Sequence, residues 1–182
     1  MIHNSNIQFD RVMDTQHPAV AMILQLYEEA FPLHERRTSV QLLQLLNEPD
    51  MEMLAIANEK EYIGFAIVWK LSGWHYLEHF AIAAAHRSKQ YGSAVIKQLI
   101  AYAENRLVLE VERPHDDIAR RRIGFYKRPG FIVSPFAYRQ PPYRKGEDWV
   151  PMVLMSTPAF DNETVFNAVV AQIQSEVYMK YH

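Results

Sequence analysis

The stretch Tyr76–Ser93, YLEHFAIAAAHRSKQYGS, joins a strand to a helix through a short cationic loop. Trp74 to Ala84 has the near-continuous apolar character of a buried strand. Beyond the loop, Gly92 to Glu104 places Val95, Ile96, Leu99, Ile100 and Ala103 on one helical face. A helix start offers unpaired backbone N–H groups and a partial positive charge, which suits phosphate. Arg87 and Lys89 add full charges beside it, and Gly92 lets a ligand approach without meeting a Cβ. The same pattern also serves as a plain surface connection, so the neighbouring segments must decide.

Upstream, Met51 to Ala57 and Tyr62 to Leu71 read as strands around a hairpin loop at Asn58-Glu59-Lys60-Glu61, and Ser72-Gly73 makes the next turn. Ile7 to Met13 alternates like a strand. His17 to Phe31 has helical spacing at Val20, Ile23, Leu24, Tyr27 and Phe31, ended by Pro32. After a polar stretch, Leu33 to Thr38, a second helix is predicted with Ser39 as N-cap. Downstream, Leu107 to Val111 alternates. Asp116 to Arg128 reads as a helix, with acids at its start, Lys127 and Arg128 at its end, and Pro129-Gly130 as its stop. Phe131–Phe136 and Val150–Met155 are predicted strands around a long loop, Arg139 to Asp148. Asn162 to Tyr178 is a terminal amphipathic helix. The order is β-α-α-β-β-β-α-β-α-β-β-α. It predicts one α/β domain over residues 1–182, with a core at 7–156 and a closing helix at 162–178.

Composition narrows the function. The 182 residues carry 19 basic and 21 acidic side chains, a formal charge of −2. Without a global positive field, a nucleic-acid or anionic-membrane partner is not expected. Zero cysteines exclude disulfides, thiolate metal sites and a cysteine nucleophile. Eight histidines form no H-x-H or H-E-x-x-H pattern, so no metal site is expected. No apolar run spans a bilayer and the N-terminal stretch has no signal-peptide core, which points to a cytoplasmic protein.

Several side chains admit two readings. A carboxylate on a buried strand is costly unless partnered, so Glu78 is either paired with a nearby arginine or a base whose pKa burial raises. His79 points to the opposite face, as a core or partner-facing histidine. Tyr126 shares a helical face with Ala119 and Ile123; periodicity alone makes it a packed ring with its hydroxyl in water. Arg120, Arg121 and Arg122 read as a solvated face. Arg36 and Arg37 read as loop charges or as holders of an acidic group on a substrate. Tyr138, Tyr143 and Trp149 flank the late loop, as a pocket wall or a dimer contact.

The element order, the loop Arg87-Ser88-Lys89-Gln90-Tyr91-Gly92 and the segment Tyr126 to Phe131 together resemble the GNAT superfamily of N-acetyltransferases. In the family's R/Q-x-x-G-x-G/A loop, Arg87 and Gly92 match, and Gln90 stands where the first glycine falls. In its N-x-x-A-x-x-x-Y-x-x-x-G-F helix, Tyr126, Gly130 and Phe131 match, while Ala119 and Arg122 replace the asparagine and alanine. The resemblance implies a mixed, mostly antiparallel sheet flanked by helices, with a V-shaped splay between the fourth and fifth strands. It also implies direct transfer of acetyl from acetyl-CoA to a primary amine of a small molecule in a ternary complex, without a metal. The pantetheine arm would pair with the backbone of Phe80, Ala81 and Ile82. The pyrophosphate would lie beside Arg87 on the N–H groups of Ser88, Lys89, Gln90, Tyr91, Gly92 and Ser93. Glu78 would take the ammonium proton, directly or through water, and Tyr126 would stabilise or protonate the leaving thiolate. Arg36 and Arg37 would fall beside the acceptor pocket. A homodimer is left open. The departures at Gln90, Ala119 and Arg122 motivate the alternative, a non-catalytic GNAT-like acyl-CoA-binding or sensing module.

Overall fold

A computed structural model of the chain describes residues 6–87 and 90–181, so Ser88 and Lys89 of the predicted loop lie outside the described residues. The fold is mixed α/β, and its eight-stranded sheet runs β1-β2-β3-β4-β5-β8-β6, with β7 also on β8. The residues gather into two compact units that interleave along the chain. One holds the residues up to Trp69 and Glu78–Gln98; the other holds Lys70–Leu77 and the residues from Leu99 onward.

In the first unit, β1 (Ile7–Val12), β2 (Met51–Asn58) and β3 (Glu61–Leu71) pair antiparallel, followed by the end of β4 (Trp74–Ile82). Met51 through Ala57 are all buried, which explains why that run lacks alternation. At Gly64 a Cβ would lie 2.3 Å from the Ala81 carbonyl oxygen, so only glycine lets β3 approach β4 there. α1 (Val20–Ala30) buries Val20, Ile23, Leu26 and Tyr27, the helical stripe read from sequence. Its start is three residues later than predicted, because His17 Nδ1 accepts the Ala19 N–H ahead of the helix. α2 (Ser39–Gln44) is capped by Thr38 rather than Ser39. Thr38 Oγ1 accepts the Gln41 N–H and Gln41 Oε1 accepts the Thr38 N–H, a reciprocal capping box. The first turns of α3 (Tyr91–Tyr102) complete this unit.

In the second unit, β4 and β5 (Leu107–Glu112) run parallel for three pairs, His75↔Leu107, Tyr76↔Val108 and Leu77↔Leu109. The register covers these three pairs, and β4 continues beyond it from Glu78 to Ile82. β8 (Val150–Thr157) pairs antiparallel with β5 and carries β6 (Ile132–Val133) and β7 (Tyr138–Gln140) along its other edge. Of the single strand predicted at Phe131–Phe136, only Ile132–Val133 forms a strand, β6. The Ser134 N–H still donates to the Leu154 carbonyl of β8 at 2.9 Å, but Pro135 has no N–H to continue the pairing, and β7 is a separate strand at the start of the predicted loop. α4 (Asp117–Lys127) is N-capped by Asp116, whose carboxylate accepts the Ala119 N–H at 2.7 Å.

α5 (Glu163–Gln172) runs into a π-helical turn, Ile173–Tyr178. That turn aims Tyr178 at a buried polar cluster. Its hydroxyl donates to Glu110 Oε2 at 3.0 Å, accepts from Gln140 Nε2 at 2.8 Å and lies 3.0 Å from the Tyr76 hydroxyl. Tyr138 donates to Glu110 Oε1. Tyr138 and Tyr143 are 2% and 7% exposed in this cluster, so neither is the exposed pocket wall or dimer contact that composition allowed. Among the described residues, no helix is long and apolar enough to cross a membrane.

Candidate functional site

Glu78 is the first residue of β4 beyond the parallel ladder. Its side chain is 0% exposed, although the residue as a whole is half-buried, so what it shows to solvent is main chain. Oε1 accepts from Arg37 Nη1 and Oε2 accepts from Trp69 Nε1 at 2.7 Å. The Arg37 guanidinium, on a side chain only 4% exposed, lies 5.9 Å from the Trp69 ring centre, and the Arg37 N–H donates to the Tyr27 hydroxyl at 3.0 Å.

Burial by itself pushes the Glu78 carboxyl up, but Arg37, His79 and the Trp69 N–H outweigh it and hold the group below its ordinary value. Of the two readings of Glu78, the ion pair with an arginine is present in the geometry. His79 is a core histidine, 3% exposed. Its ring packs 4.4 Å from Phe31 and 5.0 Å from Tyr27, and Nε2 lies 3.1 Å from the Glu35 carbonyl oxygen. Burial lowers its pKa despite the neighbouring carboxylate, and its Nε2–H donates to that carbonyl. Nor are Arg36 and Arg37 solvated loop charges. Arg36 Nε and Nη1 donate to the carbonyls of Phe31 and Arg37, at 3.0 and 3.2 Å, and Arg37 is engaged by Glu78.

The segment predicted to hold coenzyme A follows on the same unit. Phe80 is half-buried while Ala81 and Ile82 are buried, and the Ile82 carbonyl accepts from Arg87 Nε at 2.9 Å. Gln90 takes a positive φ of 64°, the left-handed conformation that favours glycine, at the position where the family pattern has one. α3 then starts at Tyr91, whose hydroxyl accepts from Asn58 Nδ2 at 3.2 Å. Its ring lies 6.2 Å from His86, which in turn is 3.2 Å from Glu61 Oε1. The Tyr91 side chain therefore ties the helix start to β2 and to the His86 turn. A twelve-residue helix beginning Tyr91-Gly92-Ser93, after a strand whose Glu78–Ile82 stretch continues beyond the β5 register, fits an extended ligand with an anionic group.

Tyr126 stands in the last turn of α4, in the second unit. Its ring meets Phe125 and Phe131 edge-on, at 5.0 and 5.7 Å. Burial pushes its phenol up to about 12, with Arg122 lowering it and Glu112 raising it. It is a hydrogen-bond donor at every physiological pH. Ala119 is 3% exposed and has no polar group to offer where the family pattern has asparagine. Arg122 pairs with Glu112 and Arg120 with Asp117, so local ion pairs account for two arginines of the basic run. No group of three His, Asp or Glu side chains among the described residues is arranged to hold a metal ion.

Sequence reading allowed Glu78 a nearby arginine but named neither Arg37 nor Trp69 as its partners. A signal was available for one half: a hairpin centred on Ser72-Gly73 sets Trp69 opposite Tyr76, which leaves Glu78 at the diagonal position two residues on, within reach of a long side chain. The other half joins residues 41 apart in sequence and has no local signature.

The family model described as Acetyltransferase (GNAT) family matches residues 20–131. A protein from Bacteroides thetaiotaomicron described as an acetyltransferase of the GNAT family is 32% identical, with a TM-score of 0.89 over 94% of this chain and 98% of that one. A GNAT acetyltransferase from Elizabethkingia anophelis with acetyl-CoA bound superposes with a TM-score of 0.56 at 16% identity, over 84% of this chain and 97% of its own. A spermidine N-acetyltransferase chimera from Vibrio cholerae and hSSAT gives 0.63 at 14% identity, over 84% and 95% of the two chains; these last two likenesses concern the fold alone. No curated protein matches the chain.

Proposed function

Because the chain belongs to the GNAT acetyltransferase family, we propose that it moves an acetyl group from acetyl-CoA to a primary amine of a small molecule by direct attack in a ternary complex. The observation that carries the reading is the stretch Glu78–Ile82, where β4 continues beyond its register with β5 at Leu77↔Leu109. An extended pantetheine arm is the ligand such a stretch accepts, by the logic of strand addition. Phe80, Ala81 and Ile82 would hold the arm. Arg87 and the backbone N–H groups of Gln90, Tyr91, Gly92 and Ser93 would hold the pyrophosphate, as expected also of Ser88 and Lys89. Acetyl-CoA supplies an activated thioester; the chain supplies position, charge and hydrogen bonds.

An acceptor amine with a pKa of about 10 must shed its proton before attack. Glu78 stays in the reading as a residue of the acceptor side. Its ionised, doubly bonded carboxylate suits a holding task rather than a proton-accepting one, and the proton passes to water. Tyr126 is assigned to the departing thiolate. Moving its proton from about 12 to a thiol of about 8.5 is uphill by about 5 kcal/mol, so it stabilises the thiolate by hydrogen bonding instead of protonating it. With no cysteine in the chain, direct transfer is the simplest course. We place the activity in the cytoplasm on the same cysteine-free composition.

The test is release of the coenzyme A thiol with a pool of primary amines, beside a thermal shift with acetyl-CoA. Amine-dependent release establishes the transferase. A thermal shift without release favours the acyl-CoA-binding module.

A further inference from the structure

We infer that Arg37 is a positioning residue of this transfer: its buried pair with Glu78 fixes the segment 31–38 against β4, and Glu78 is the anchor of that segment rather than the proton acceptor. The inference rests on the transferase reading above.

Three contacts tie the segment to two successive residues of β4. Arg37 Nη1 donates to Glu78 Oε1, the Glu35 carbonyl takes His79 Nε2 at 3.1 Å, and the Phe31 ring stands 4.4 Å from the His79 ring. A fourth, from the Arg37 N–H to the Tyr27 hydroxyl, ties it to α1. These ties end immediately before Phe80, Ala81 and Ile82, the residues assigned to the arm. The segment therefore borders the stretch of β4 beyond the β5 register on the side of Glu78.

A general base must bring a lone pair within hydrogen-bond reach of the proton it takes. Each Glu78 oxygen already accepts an N–H from inside the protein, and the side chain has 0% exposure. What the pair does control is geometry. Removing one partner leaves a buried charge without compensation, and the segment must move to hydrate it. Removing both charges takes away that demand. Because attack requires the amine to be held close to the thioester carbon, a shifted segment misplaces the acceptor without touching the chemistry.

The experiment compares Arg37→Met, Glu78→Gln and the double variant with the parent, using the best amine from the pool. The amide introduced by Glu78→Gln keeps an oxygen for the Trp69 N–H. Each single variant is expected to lose at least tenfold in kcat/KM for the amine, with KM for acetyl-CoA within about threefold of the parent. The double variant should recover most of that loss, a non-additivity that marks a coupled pair. A double variant as impaired as Glu78→Gln alone would make Glu78 the proton acceptor and overturn the inference. Single variants that melt earlier but keep parental kcat/KM would make the pair merely structural and overturn it too. Hydrogen exchange of the amides in 31–38 gives a readout independent of turnover. Protection lost in Arg37→Met supports the anchor, and unchanged protection contradicts it. Absence of amine-dependent release in the parent itself would instead count against the transferase reading.

Discussion

The Glu78 carboxylate is shared between Arg37 Nη1 on one oxygen and Trp69 Nε1 on the other, with no exposed side-chain surface. One interaction thus ties the polar connection between α1 and α2 to the strand that leads out of the parallel ladder. The residue type expected to do the proton chemistry is present at the expected place, in a setting that keeps it ionised and occupied.

Acid should loosen the chain through this cluster. Burial holds His79 below its ordinary 6.5, so the unfolded chain takes up that proton first and stability falls as pH drops below 6.5. Glu78 is held below its ordinary 4.5 by Arg37, so its contribution is complete above 4.5 and is lost as pH falls through the lowered folded value. Urea unfolding between about pH 7.5 and 4 should show a stability that declines throughout. His79→Gln should flatten the part near 6.5 alone. A parent with flat stability across that range would contradict the assignment of both groups.

Gln90 carries a conformational cost at φ 64°. Gln90→Gly should leave the melting temperature unchanged or raise it by a few degrees, since about 1 kcal/mol of backbone strain goes while unfolded-state entropy rises by a similar amount. Gln90→Val, β-branched in the same conformation, should lower it and weaken acetyl-CoA binding in calorimetry. Equal melting temperatures for the glycine and valine variants would mean that the left-handed turn is not formed.

Gly64→Ala should be among the most damaging small substitutions in the chain. The added Cβ meets backbone, the Ala81 carbonyl oxygen at 2.3 Å, and backbone cannot swing aside as a side-chain end can. A loss of about 1–3 kcal/mol is expected from overpacking, with weaker acetyl-CoA binding because Ala81 belongs to the proposed arm site. Parental stability in a denaturant titration would show that β3 and β4 stand further apart.

Tyr126→Phe should lower kcat about 10–100-fold, the worth of one hydrogen bond to a charged sulfur, with little change in KM for the amine. Because the phenol is pushed up to about 12, the parent's pH–rate profile should carry no limb from Tyr126 below pH 10. A limb that vanishes in Tyr126→Phe would restore true proton donation.

Much of this was legible in the residue pattern. Periodicity found every principal helix, because each buries one stripe, and the Pro32 and Pro129-Gly130 stops fell where backbone chemistry requires. The unbroken apolar run of β2 and the strand at Trp74 marked a buried sheet. Boundaries shifted where a side chain competes with the backbone: His17 before α1, Thr38 rather than Ser39 at α2, Ser134-Pro135 inside the predicted late strand. The site was legible as residue types and not as partners. Glu78 stood out as a carboxylate on a buried strand, yet its tie to Arg37 spans 41 residues and depends on tertiary packing. Tyr138 and Tyr143 looked like pocket walls because the loop around them is polar. The π-turn that delivers Tyr178 to Glu110, and closes that cluster, has no sequence signature.

The most direct measurement of the central claim is mass spectrometry of the mixture after the chain is incubated with acetyl-CoA and a pool of primary amines, with coenzyme A thiol followed in parallel. The account predicts N-acetylated amine and free thiol in equal amounts, unmodified protein, and loss of both products with an order-of-magnitude weaker acetyl-CoA affinity in Arg87→Glu. Acetyl-CoA bound at parental strength with no thiol released for any amine, or an acetylated side chain that an amine then discharges, would contradict it.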